Sequence, residues 1–271
     1  MTQAREPLTA AGQEKHIEVD GFDIRYRESS PSQPLGVVVI LEGSTWSLST
    51  LREALSQQYR VIALELPGCG TSPANTSSQS VPELARTVAR ATAQVVPPPY
   101  TLIGTSFAAD VALWQTLQAP EQIEALVLIA PTALLPAASP LDMGLEERAS
   151  WLFAYPAQAR HFTSLDPAIV LKEQVLVQRL TGGRHDAEAE RRLSEITCPT
   201  LVLFGSADRL VAPEAGRLYR AQIPNSHLAF VYDAGHLIEA ERPEALAQAV
   251  SDYVERHETF IVGRQSGVIH P

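Results

Sequence analysis

The stretch Thr101-Leu-Ile-Gly-Thr-Ser-Phe-Ala-Ala-Asp-Val-Ala-Leu-Trp114 decides how the rest of the chain is read. A short apolar run, Tyr100 to Ile103, meets Gly104-Thr-Ser-Phe-Ala108, and a helix-like segment from Ala109 to Leu117 follows at once. That is strand, sharp turn and helix with a serine at the apex. Such a turn projects the hydroxyl from the end of a sheet, beside the free N–H groups of the helix start. Ser106 is therefore read as a nucleophile, with a helix N-cap as its bland alternative.

The pattern by itself is weak. G-x-S-x-[GA] turns up by chance in roughly one chain in five of this length, so context has to decide. Gly70-Thr-Ser-Pro-Ala74 matches it too, but lies in a stretch rich in Pro, Gly and Ser with no helical pattern after it. Ser72 reads as loop.

Outward from the elbow, apolar β-branched strands alternate with helix-like segments. His16–Asp20 and Phe22–Tyr26 alternate apolar and polar about Gly21, as an antiparallel hairpin with one wet face does. Val37–Leu41, Tyr59–Leu66, Ile123–Ala130, Thr200–Phe204 and Leu228–Tyr232 are continuously apolar or nearly so, the pattern of strands buried on both faces. Helical patterns at Leu51–Gln57, Val81–Val95, Pro213–Ala221 and Pro243–Arg256 separate them. The alternation predicts an α/β fold with a mostly parallel, eight-stranded sheet and right-handed crossovers. Residues 131–195 break the rhythm after the sixth strand, with helical patterns at Glu146–Phe153 and Ala168–Leu180. They are expected to form a helical cap on a core of residues 1–130 and 196–271. Its basic residues, Arg148, Arg160, Lys172, Arg179 and Arg184, form no cluster in sequence. The tail from Thr259 to Pro271 has no assigned packing.

In such a sheet, chemistry collects at the carboxyl ends of the strands. Asp208, in Gly205-Ser-Ala-Asp208, and His236, in Asp233-Ala-Gly-His236, each follow a strand, as Ser106 does. A serine hydroxyl becomes a good nucleophile when a neutral imidazole takes its proton, and a carboxylate fixes the imidazole tautomer. The chain supplies one of each, in the order Ser106, Asp208, His236.

These motifs, with Leu66-Pro-Gly-Cys-Gly-Thr-Ser72 and Glu241-Arg-Pro243, resemble the α/β-hydrolase fold superfamily in its capped bacterial branch, over about residues 16 to 257. The resemblance implies a serine hydrolase, carboxylesterase-like, that cleaves a small to medium, largely apolar ester or related acyl compound through an acyl-enzyme on Ser106. Cleavage of a C–C bond, as a hydrolase or a lyase with the same triad, and a ligand-binding homologue of low turnover, are the alternatives. Position by position, it implies Ser106 as nucleophile, His236 as base and Asp208 as its orienter. The oxyanion hole would be the backbone N–H groups of Phe107 and Ser44. Two positions depart from the family: Ala108 replaces the second elbow glycine, and Glu42-Gly43 stands where the family usually has His-Gly. Glu42 is read as a hydrogen-bonded scaffold, with an acid–base role as the alternative. With Trp46, Trp151, Phe153 and Tyr155 it is a candidate lining residue of a substrate pocket. Asp110, one turn past Ser106, is read as a favourable charge near a helix N-terminus.

Composition bounds the rest. At 45% hydrophobic and 19% charged residues the chain is an ordinary globule, and a formal charge of −10 argues against nucleic acid or anionic membrane as partner. Two cysteines, Cys69 and Cys198, provide no disulfide framework, and no motif calls for a metal or cofactor. Met1 to Glu14 lacks the apolar h-region of a signal peptide, and no run approaches the ~18 apolar residues of a membrane span. A cytoplasmic protein acting on a small molecule is expected, as monomer or homodimer.

Overall fold

Strands β3 (Val37–Glu42) and β5 (Tyr100–Thr105) lie side by side and in parallel at the centre of the sheet. The computed structural model describes residues 13–43, 48–134, 145–156, 166–183, 185–257, 260 and 268–269. The strand order is β1-β2-β4-β3-β5-β6-β7-β8-β9, with β1 (Gln13–Val19), β2 (Phe22–Ser29), β4 (Arg60–Glu65), β6 (Ile123–Ile129), β7 (Thr200–Gly205), β8 (Ser226–Val231) and β9 (Val268–Ile269). β1 pairs with β2, and β2 with β4, antiparallel; β4 through β8 run parallel. The eight expected strands are present. The two-residue β9 adds an antiparallel edge beside β8, the part of the tail that pattern alone left unassigned.

Alternation along each strand builds two cores. Val39, Leu41, Ile62, Leu64 and Leu102 face α2 (Val81–Val95) and α3 (Phe107–Gln118); Val38, Ile40, Val61, Ile103 and Val127 face α1 (Ser49–Ser56) and α9 (Pro243–Arg256). Burial on both faces explains why these strands read as unbroken apolar runs. α2 starts where expected because Ser80 accepts from Glu83 N–H while the Glu83 carboxylate accepts from Gln79 N–H, next to Pro82 in the first turn. The helix expected over Pro213–Ala221 is a short 3-10 turn, Pro213–Ala215, followed by α7 (Gly216–Gln222).

Between β6 and β7 in sequence come α4 (Leu145–Leu152), α5 (Pro167–Thr181) and α6 (Ala187–Arg192). α5 buries Leu176 and Leu180 in the core and leaves Leu171 and Val175 exposed. Its charged face is bound to the loop after β4. Lys172 donates to the carbonyls of Gly70 and Ser72 at 2.8 and 2.5 Å, and Arg179 to those of Asn75, at 2.6 Å, and Ser78. Glu173 accepts from Gly70 N–H at 2.8 Å. These cations look scattered in sequence because their acceptors are backbone carbonyls of one loop.

The chain order turns back between β3 and β5, since β4 lies on one side of β3 and everything after β5 on the other. Such a switch point opens a crevice at the carboxyl ends of the strands. Glu42 ends β3 there, and Ser106 follows β5.

Candidate active site

Ser106 holds φ 51° and ψ −124°, a backbone conformation that a side-chain-bearing residue rarely adopts. Its neighbours fix it there. Ser106 N–H donates to the carbonyl of Ile129 at 2.8 Å, and its own carbonyl accepts from Ala109 N–H at 2.9 Å. Helix and strand approach so closely that a Cβ on Gly104 would stand 2.4 Å from the carbonyl oxygen of Ala108. A Cβ on Gly43 would stand 2.8 Å from the Ala108 methyl, so Gly43 gives the room that the missing elbow glycine would have left.

Three residues from three loops meet at this turn. Ser106 Oγ lies 2.9 Å from His236 Nε2, and His236 Nδ1 lies 2.9 Å from Asp208 Oδ2. The other Asp208 oxygen accepts from the backbone N–H groups of Leu210 and Val211, both at 2.9 Å, which fixes the carboxylate plane. Ser106 is half-buried, whereas the side chains of His236 and Asp208 are 1% and 0% exposed. Burial works to lower the pKa of His236. Asp208, by charge and hydrogen bond, outweighs it with help from Glu239 and Asp110, so the net direction is upward. A neutral imidazole here can take the Ser106 proton, and the imidazolium so formed meets a sealed carboxylate.

The histidine loop is braced by Glu241, a residue of the quoted motif to which sequence reading gave no role. Its carboxylate accepts from Gly235 N–H at 2.6 Å, from Ala154 N–H at 3.1 Å and from Tyr155 N–H at 3.0 Å. Leu237 N–H donates to the carbonyl of Leu152 at 3.1 Å. The segment after α4 is thus tied to the loop that carries His236.

The other expected site residues divide. Phe107 is the first residue of α3, where helix N–H groups have no intrahelical acceptor. Ser44 and Trp46 lie outside the described residues. Glu42 is half-buried and accepts from Arg52 at 3.1 Å; burial pushes its carboxyl above the ordinary range, against the pull of Arg52 and Arg27. Trp151 is half-buried on α4, Phe153 is buried against Leu237, and Tyr155 is exposed, its hydroxyl on Asp233 at 3.1 Å. Ser72, the decoy serine, donates its hydroxyl to Glu65 at 2.5 Å, and Glu65 also accepts two bonds from Arg25 at 2.7 and 2.6 Å.

Asp110 lies in the first turn of α3, as expected, and also does more there. It is buried and accepts from the N–H groups of Thr132 and Ala133, both at 2.8 Å, and from the Thr132 hydroxyl. Burial pushes its carboxyl up to about 7 against those bonds. One turn on, Trp114 Nε1 donates to Asp186 at 2.8 Å, with Arg192 over the ring at 5.6 Å from its centroid. Among the described residues, no group of three or more His, Cys, Asp or Glu is arranged to hold a metal ion, and no helix is long and apolar enough to cross a membrane.

The model of the Alpha/beta hydrolase family matches residues 37–249. The chain is 25% identical over 267 residues to the uncharacterized hydrolase YugF of Bacillus subtilis, covering 89% of this chain and 97% of that protein. It is 26% identical over 284 residues to the 2-hydroxy-6-oxononadienedioate/2-hydroxy-6-oxononatrienedioate hydrolase of Escherichia coli K12, covering 93% and 99%. Among solved structures, carboxylesterase CesB (YbfK) of Bacillus subtilis superimposes with a TM-score of 0.69 at 19% identity, covering 89% of this chain and 91% of that one.

Proposed function

The chain belongs to the alpha/beta hydrolase family, and from that premise we propose that it is a serine hydrolase of small to medium, largely apolar, uncharged esters. The observation that carries the reading is the unbroken line of two 2.9 Å contacts from Ser106 through His236 to Asp208. Ser106 attacks the acyl carbonyl as His236 takes its proton; Asp208 holds the imidazole tautomer and balances the imidazolium. The Phe107 N–H, with that of Ser44, receives the developing oxyanion. His236 then returns the proton to the leaving alkoxide, activates a water, and the acyl group departs as the acid. Residues 131–195 serve as the cap over a core of 1–130 and 196–271, with Trp151 at the pocket wall.

Preference for uncharged substrates is supported by where the cations of α5 are spent. Lys172 and Arg179 donate to loop carbonyls, and the base itself faces Asp208, Glu239 and Asp110. A dianionic substrate would enter a field of its own sign.

Hydrolysis of a C–C bond is the second reading, favoured by the nearly full-length match to the Escherichia coli hydrolase. It needs the same proton relay. Rates on p-nitrophenyl butyrate and on a vinylogous 1,5-diketone acid separate the two. The ester reading expects turnover of the ester that Ser106→Ala abolishes; turnover of the diketone alone overturns it.

A further inference from the structure

One buried carboxyl beside the base has no part in the reaction so far. Glu239 stands three residues past His236, in the single turn of α8 (Ile238–Glu241). Only 8% of it is exposed, and neither side-chain oxygen has a hydrogen-bond partner on another described residue. Glu241, in the same turn, accepts from three backbone N–H groups. Two carboxyls two residues apart are therefore in opposite situations: one is fully engaged, the other sealed and unengaged. A sealed carboxylate without donors is costly, so the group holds a proton unless a positive charge faces it. The charge that faces Glu239 is that of His236.

We propose that Glu239 is a positioning residue that acts through His236, its charge coupled through space to that of the base, and that it thereby sets the acidic edge of activity. The proposal rests on His236 as the general base. Burial pushes the Glu239 carboxyl up to about 7, against its own backbone N–H and the His236 charge, and Glu239 in turn helps to raise His236, so the two protonations are coupled. Their macroscopic titrations then belong to the pair. The groups that face the imidazole are Ser106 at Nε2, Asp208 at Nδ1 from the loop after β7, Asp110 from α3 and Glu239 from α8. Asp208 is fixed by contact and Asp110 shares its charge among three donors. Among these acids Glu239 has no donor on another described residue to stabilise its charge, only its own backbone N–H, so it responds to the protonation of His236.

With one proton on the pair, two arrangements are open. Protonated Glu239 accompanies a neutral imidazole, and ionised Glu239 accompanies an imidazolium. An amide in place of the carboxyl keeps the shape but offers the imidazolium no counter-charge. His236 then loses its proton at lower pH, and the neutral base survives into more acidic solution.

The test is the pH profile of kcat/KM on p-nitrophenyl butyrate, between about pH 5 and pH 9, for the wild type, Glu239→Gln and Glu239→Met. The midpoint of the acidic limb should fall by roughly 0.5 to 1 unit in both variants, with the plateau rate within about threefold of wild type. Either variant suffices if the other fails to fold. Acidic limbs that superimpose, or a midpoint that rises, overturn the proposal. His236→Ala separates this from the reading beneath it. A wild-type rate in His236→Ala removes the general base itself, whereas an inactive His236→Ala with unshifted Glu239 variants removes only the role of Glu239.

Discussion

The backbone N–H of Asp186 donates to the carbonyl of Ala133 at 2.7 Å, so the segment that leaves the sheet after β6 comes back to the point of its departure. Both ends of that neck are pinned to α3, the helix that begins at the elbow: Asp110 holds Thr132 and Ala133, and Trp114 holds Asp186. Two points of the proposed cap, one at its entry and one just before α6, are thus tied to the same helix that positions Ser106.

Removing the first pin should loosen the cap. Asp110→Ala leaves two buried N–H groups and a hydroxyl without their acceptor, a cost on the order of 3 kcal/mol. Asp110→Asn keeps an acceptor for the two N–H groups and offers its amide to the Thr132 hydroxyl. Calorimetry should therefore show a melting temperature lowered by several degrees for the alanine variant and little changed for asparagine. On a p-nitrophenyl ester series, the wild-type gain of about 2- to 4-fold per methylene should flatten in Asp110→Ala and in Trp114→Phe. An undiminished chain-length gain in both variants would mean that the neck does not position the acyl pocket.

Buried Asp110 also gives stability a direction in pH. Its carboxyl ionises at about 7 in the fold, against about 4 when unfolded. Between those values the native state holds a proton that the unfolded state has lost, so stability is full below the lower value and falls as pH rises through the upper one. Asp110→Asn cannot ionise. Its melting temperature should decline less than that of wild type between about pH 5 and pH 8, and equal declines would place the proton elsewhere.

The two elbow-like serines should behave oppositely. Ser106→Ala should lower kcat by about 10⁴-fold or more. Ser72→Ala loses its bond to Glu65 and about 1 kcal/mol of stability, with activity within a few-fold of wild type. Steady-state kinetics of the pair decide this, and an inactive Ser72→Ala would reverse the choice of nucleophile.

Glu42 is held by Arg52 at 3.1 Å with both side chains mostly out of solvent, at 14% and 11% exposure. Glu42→Gln keeps the shape and one bond but leaves the guanidinium without its counter-charge, at a cost of about 3 kcal/mol. Thermal stability should fall while kcat stays within a few-fold of wild type. A loss of about 10³-fold in kcat with the fold intact by circular dichroism would instead give the carboxylate a charge-dependent catalytic part.

Much of this architecture is legible in the chain because its signals are local. Val37–Leu41 and Thr200–Phe204 are apolar on both faces since helices cover both, and Ser106, Asp208 and His236 each follow a strand. What pattern missed depends on partners distant in sequence. Asp110 reads as a helix-start charge because its donors come 22 and 23 residues later. Lys172 and Arg179 look idle because carbonyls some hundred residues earlier engage them. Glu239 and Glu241 are alike in sequence; only the fold gives Glu241 three backbone donors and Glu239 none on another described residue.

The central claim is that Ser106 is a nucleophile activated by His236, and intact-mass analysis after exposure to a fluorophosphonate tests it most directly. The account predicts one adduct per chain, mapped by peptide sequencing to Ser106, absent in Ser106→Ala and formed far more slowly in His236→Ala. No adduct on the wild type, or one that persists in Ser106→Ala, would contradict it.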